Sequence, residues 1–192
     1  MPFIIGITGT PGCGKSYLAK RISKLLKSSY VIEVSSIVKR YKLYSSYDRS
    51  LESYVIDPKR LNLKLMELIS NSKKENIIIV THLIDYIKLN FDLIILVRCH
   101  LDDLLSRLKR RDYNKEKIRE NIISEAEAAI KSSLVRFKKS SIIEIFSNEY
   151  KLKDILSDID KIKRGAYIRK LIDIDLLEEL ADIASKHKDI GL

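Results

Sequence analysis

A doubly wound α/β sheet is the fold that this chain predicts, and three observations predict it. Apolar runs of strand length alternate with helix-period segments from end to end of the 192 residues. Several runs are nearly continuous in Ile, Leu and Val, as in IIIV at 77–80 and LIILV at 93–97, which suits strands buried on both faces of a parallel sheet. Four of the six glycines crowd into GITGTPGCGKSYLAK, residues 6–20, directly behind the first run. In order, the strands fall at 3–8, 30–34, 76–82, 92–98 and 141–146, and the helices near 15–27, 58–72, 101–110 and 115–138. Along the last helix Ile118, Ile122, Ala126, Ile130 and Leu134 recur every four residues and mark one apolar face. Such a five-stranded parallel sheet binds its ligands at the carboxyl ends of the strands. Segments 43–57, LYSSYDRSLESYVID, and 110–114, RRDYN, break the alternation and are the candidates for mobile or binding elements.

Composition narrows the function classes. The length fits one domain with a real core, and 45% hydrophobic against 32% charged residues, without a low-complexity run, argues against a disordered chain. The longest apolar runs fall short of a membrane span and the start carries no basic leader, so the expectation is a cytoplasmic protein with no membrane partner. Cys13 and Cys99 lie far apart and lack metal-ligand spacing, which suggests neither a disulfide framework nor zinc. A formal charge of +10 favours polyanionic partners such as nucleotides or RNA. Its placement is uneven: residues 1–47 hold eight lysines and arginines against the single acid Glu33, and 107–119 hold seven against two acids.

GTPGCGKS, residues 9–16, follows a strand, opens a helix and has the spacing G-x-x-x-x-G-K-[ST] of a phosphate-binding loop. Gly9, Gly12 and Gly14 let backbone N–H groups approach phosphate oxygens, with Thr10, Pro11 and Cys13 as the intervening loop residues. Lys15 reaches the β and γ phosphates, Ser16 holds Mg²⁺, and the first helical turn through Tyr17 adds its positive end. A P-loop NTPase is the resulting expectation. The guanine-reading N-K-x-D is missing, since NKEK at 114–117 lacks the Asp, which lowers the GTPase reading. An insertion after the second strand and a late Arg-rich tip fit a nucleoside monophosphate kinase instead, the insertion (about 33–57) holding the acceptor and the tip (about 110–120) closing as a lid.

GTPGCGKS, LYSSYD, RRDYNKEKIRENIISE and the His82 to Asp85 H-x-x-D together resemble the adenylate kinase isoenzyme 6 family in its archaeal branch. The resemblance spans about residues 3–164, and its most distinctive part is the pattern Tyr113, Asn114, Lys117, Asn121, Ile122 and Glu125. It implies a 2-3-1-4-5 sheet, ATP and AMP as substrates, ATPase activity, a role in small ribosomal subunit maturation, and a platform ribosomal protein as partner. On the same ground Arg111 falls on the lid arginine, with Arg107 one turn earlier as a second, and His82 on a functional histidine. Relatives carry an arginine where this chain has Lys39, so Lys39 or the adjacent Arg40 clamps the AMP phosphate. Relatives also place an acid that helps organise Mg²⁺ where this chain has Val80. Either Asp85 or water-mediated contacts supply that anion, or phosphoryl transfer is weak and nucleotide binding matters more.

Tyr41, Tyr44, Tyr47 and Tyr54 stack on a base or pack a helix on the sheet, and Asp48 and Asp57 act in the site or cap turns. Beyond Gly165, Ile168, Ile172, Leu176, Leu180 and Ile183 recur at helical spacing, so 165–192 is expected as an extra amphipathic helix, on its own domain or for a partner. Two functions remain: an adenylate kinase with ATPase activity, or an ATP-gated assembly factor that binds a platform ribosomal protein or rRNA. An RNA 5′-end kinase is disfavoured.

Overall fold

The computed structural model describes residues 1–50 and 52–191. Its main sheet contains β1 (Phe3–Thr8), β2 (Ser29–Glu33), β5 (Asn76–Val80), β6 (Leu93–Arg98), β7 (Ser141–Phe146) and the two-residue β8 (Arg169–Lys170), in the order β2-β5-β1-β6-β7-β8. All pairings are parallel. The five strands expected from sequence therefore take the 2-3-1-4-5 order, and a sixth joins at the edge beside β7. Alternation along each strand divides the core. Ile78, Ile95 and Ile143 face one layer with helix α1 (Lys15–Leu25), α4 (Leu101–Lys109), α5 (Lys115–Ala126) and α7 (Leu152–Lys163). Ile77, Ile79, Ile94 and Ile142 face the other, with α2 (Val34–Arg40) and α3 (Pro58–Ser70). Each such isoleucine, fully buried, stabilises the fold by roughly 2 kcal/mol.

Several elements differ from expectation. The segment 43–57 is an antiparallel hairpin of β3 (Tyr44–Asp48) and β4 (Ser53–Ile56), preceded by the short helix α2. Its tyrosines pack on one another, the Tyr44 and Tyr54 rings 4.4 Å apart and those of Tyr47 and Tyr54 5.1 Å, and Tyr41, Tyr44 and Tyr54 also pack against the layer that holds α2 and α3. Asp57 caps α3, accepting from the amides of Lys59 and Arg60. Asp48 accepts from the Ser50 amide at 2.9 Å. Helix α7 is absent from the sequence expectation, although Leu152, Ile155, Leu156, Ile159 and Ile162 recur at helical spacing.

The predicted helix 115–138 breaks at Ala128, whose φ of 49° ends α5 and starts the short α6 (Ala129–Ser133). The four-residue stripe explains the break. Ile118, Ile122 and Ala126 pack in the first layer, whereas Ile130 and Leu134 pack in the second, so the chain must cross the sheet edge between them.

The tail 165–192 is not one amphipathic helix. Gly165, at φ +96°, ends α7, with the Ala166 amide returning to the Lys161 carbonyl at 3.0 Å. The chain then meets the open edge of β7, where Ile142 donates to the Ile168 carbonyl at 2.8 Å and β8 forms. An edge with unpaired backbone groups outweighs helical periodicity here. Helix α8 (Leu177–Lys186) follows, and Leu176, Ile183 and Ile190 are buried in the first layer, so the tail packs on its own domain. His100 ties it down, its ring nitrogens 2.7 Å from Glu179 and 2.8 Å from Glu149.

Candidate active site

The phosphate loop lies between β1 and α1, over the carboxyl ends of β1 and β6. Its glycines answer to the protein beneath as well as to any ligand above. A Cβ on Gly9, at φ +142°, would stand 2.2 Å from the Val97 carbonyl oxygen, and one on Gly12, at φ +103°, 2.7 Å from Leu104. Gly9, Thr10 and Cys13 form the buried underside of the loop. The Thr10 hydroxyl donates to Glu125 at 2.5 Å. The same carboxylate accepts from Arg98 Nε at 2.7 Å and from the Cys99 amide at 3.0 Å. Arg98 also donates to Glu144 at 3.1 Å. Burial opposes the charge on Arg98, but the two carboxylates outweigh it and keep the guanidinium firmly protonated. Sequence spacing did not show this network, although Glu125 stood in the distinctive pattern of α5. Cys13 and Cys99, remote in sequence, are both buried and near enough for each thiol to shift the other, Cys13 upward and Cys99 downward.

Above the loop two clefts meet. The larger, of about 600 Å³, runs from Gly12, Gly14, Lys15 and Ser16 past Glu33, Val80 and His82 to Lys39 and Tyr54 on one side and Arg111, Tyr113 and Lys117 on the other. The second, of about 470 Å³, lies between α1, α4 and the end of β7, with Arg107, Arg110, Arg111, Asn148 and Tyr150 in its wall. Gly12, Gly14, Tyr17 and Arg111 line both. Both volumes lie within the range of small-molecule sites, about 300–1,000 Å³.

Lys15 donates to the carbonyls of Gly9 at 2.7 Å and Thr10 at 2.9 Å. Burial lowers its pKa to about 8; Arg111 lowers it further, while Cys13, Glu125 and Glu33 oppose the fall. Lys15 stays mainly charged near pH 7, and an anion in the cleft would favour that form further. His82 is open to the cleft yet hemmed in by its walls; burial, with Lys15 and Lys117, pushes it down to about 4. It is therefore neutral near pH 7, a hydrogen-bonding group and no cation. Arg107 is engaged with Ser147 at 3.2 Å, Asn148 at 3.0 Å and the Gly12 carbonyl at 3.4 Å, which braces the loop from the second cleft.

The two interrupting segments close on each other. Asn114 at the start of α5 donates to the Ser50 carbonyl at 3.1 Å, and Lys117 donates to the Glu52 carbonyl at 2.9 Å. Asn114 also caps its own helix, accepting from the Lys117 amide at 2.8 Å.

Two expected groups fall elsewhere. Asp85 accepts a hydrogen bond from Ser133 and does not line the cleft, because the 3-10 turn Ile84–Tyr86 carries it past the strand end. Arg40 lies over the ring of Tyr41 and is likewise outside the lining, which leaves Lys39 as the cation of α2 in the cleft. Val80 stands in the wall, and its register partner on β2 is Glu33. Glu33 has no role in the sequence expectation, and the signal that marks it is its isolation among eight bases. Among the described residues no three His, Cys, Asp or Glu side chains converge as a metal centre. Mg²⁺ at a phosphate site does not require one, since one or two protein oxygens suffice beside phosphate and water. No helix among the described residues is long and apolar enough to cross a membrane.

A family model described as an AAA domain matches residues 5–128. Over 159 residues the chain is 33% identical to a protein of Methanosarcina barkeri, covering 83% of this chain and 85% of the relative. It is 34% identical over 178 residues to one of Methanocaldococcus jannaschii, covering 93% and 95%. A Saccharolobus islandicus protein is 29% identical over 189 residues, covering 97% and 98%. All three bear the name "Putative adenylate kinase".

Proposed function

The chain belongs to the AAA-domain P-loop family together with these archaeal relatives, and from that premise we propose that it transfers the γ-phosphoryl group of ATP to AMP. The observation that carries the reading is the meeting of two clefts at one phosphate loop, with Arg111 in the wall of both. The second cleft takes the adenosine of ATP, where Arg107, Arg110 and Tyr150 offer flat cationic and aromatic faces. The first takes AMP, its phosphate beside Lys39 and its base near Tyr54. The acceptor insertion at about 33–57 and the lid at about 110–120 then flank the site of a kinase body at 1–164, with the β3–β4 hairpin and the lid as its moving parts.

The chemistry asks little of the protein beyond position and charge, because an AMP phosphate oxygen is already an anionic nucleophile. Backbone amides of the loop and the amino end of α1, which has no acid in its first turn, hold the phosphates. Lys15 gives up two carbonyls and Arg111 turns inward to meet the charge of the transferring group. Neutral His82 orients an oxygen. Ser16 would hold Mg²⁺, which supplies charge neutralisation at the phosphates when bound. Asn114 and Lys117, in contact with the hairpin, shut out water. Without AMP the same site hydrolyses ATP slowly.

ADP formation from ATP, with and without AMP, tests the proposal against Lys15→Ala, for which a loss on the order of 10²–10³-fold or more is expected. AMP-dependent ADP that does not exceed this control would sink the kinase reading. Within the same reading we place the chain in the isoenzyme 6 branch, with a role in small-subunit maturation. Val80 in the wall and the charge of +10 also favour a second function, an ATP-gated factor on a platform ribosomal protein or rRNA. Capture of that protein indifferent to ATP would remove the gating.

A further inference from the structure

We infer that Glu33 is the carboxylate of the divalent-cation site, facing the phosphates from the end of β2 with Ser16 as the second protein oxygen. The inference rests on the nucleotide reading above and deepens it. Three observations carry it. Glu33 is the last residue of β2 and pairs in register with Val80, the last residue of β5, so it stands at the carboxyl edge of the sheet beside the phosphate loop. It lines the same cleft as Lys15 and Ser16. The other carboxylate expected there, Asp85, is turned to Ser133 and lies outside that cleft.

The remaining acids of the cleft wall are Glu52, on the hairpin, and Glu120, on α5. Both ride on the segments proposed to open and close. Glu33 is fixed by the sheet, which is where a cation that must persist through opening and closing needs its anchor. Mg²⁺ takes hard oxygen ligands and retains waters, so one carboxylate and one hydroxyl beside the phosphates satisfy it. The surroundings also explain why an acid is tolerated there: Lys15 lies close enough for Glu33 to support its charge. Glu33 is the single acid among the first 47 residues.

Mn²⁺, which is paramagnetic, serves as the probe. Its affinity for the full-length chain saturated with ATP is read by electron paramagnetic resonance, and ATP affinity in the presence of a chelator is read separately by calorimetry. Glu33→Gln is expected to weaken Mn²⁺ about tenfold or more, with chelator-measured ATP affinity kept within about twofold. Adding Val80→Asp to Glu33→Gln returns a carboxylate across the register and is expected to restore most of the loss. Val80→Asp alone, in a chain that keeps Glu33, should tighten Mn²⁺, which serves if the double variant folds poorly. Unchanged Mn²⁺ affinity in Glu33→Gln, with ATP still bound, would overturn this inference alone. Failure of the unaltered chain to bind ATP would overturn it together with the nucleotide reading.

Discussion

Under the phosphate loop, Glu125 receives hydrogen bonds from Thr10, Arg98 and the Cys99 amide, all within the core. Across the mouth of the cleft, Asn114 and Lys117 reach only the exposed carbonyls of Ser50 and Glu52. The two regions hold the same ligand site by opposite means. Below, an ion network removed from water sets the loop's shape before any nucleotide arrives, and breaking it is costly because a buried charge would lose its partner. Above, two hydrogen bonds worth about 1 kcal/mol each hold the hairpin to the start of α5. On the proposed reading, the buried network lies where phosphates must find fixed amides and the weaker contacts lie where substrates enter.

Breaking the lower region should give the largest effect. Glu125→Ala leaves the Thr10 hydroxyl and the Cys99 amide without their acceptor and deprives Arg98 of one of its two carboxylates, leaving it Glu144 and the residue 125 carbonyl, at a cost of about 3–5 kcal/mol. Thermal unfolding followed by circular dichroism should show Tm lower by on the order of 10 °C. A shift of only a degree or two would mean that the loop does not depend on the network.

Titrating the centre of the site sharpens the contrast. Lys15 is depressed to about 8 in the free protein, and a bound polyphosphate favours its charged form. ATP therefore binds the protonated state preferentially. Affinity should be steady below pH 8 and fall above it, by up to about tenfold per pH unit until the pKa of the complex is reached. Calorimetry between pH 6.5 and 9.5 checks the sign. A rise in affinity above pH 8 would contradict the assignment of Lys15 to the phosphates.

The smallest effect belongs to the rim. Lys117→Ala removes one bond to the hairpin, so KM for AMP should rise about fivefold, equivalent to about 1 kcal/mol, with Tm unchanged within a degree. If instead Tm fell as far as for Glu125→Ala, the distinction between a fixed floor and a yielding rim would be lost.

The amino-acid order determined the elements whose evidence is local. The alternation of IIIV-like runs with helical segments predicted five core strands, and their 2-3-1-4-5 order came with the family resemblance. GTPGCGKS located the loop because a glycine spacing, a lysine and a hydroxyl are properties of eight consecutive residues. Only the tertiary structure decided the remainder, because it depends on which segments meet. The stripe from Ile118 to Leu134 is one face on paper and two layers in space, divided at Ala128. The tail reads as a helix until the open edge of β7 draws Ile168 and its neighbours into β8. Asp85 sits three residues after His82, yet its turn carries it to Ser133, while Glu33, 47 positions before Val80, comes to lie beside it. Periodicity and motif spacing record what a residue is and where along the chain it stands. Pairings across a sheet or through a core arise from backbone groups and charges finding partners out of water, and they are settled only when the chain has folded.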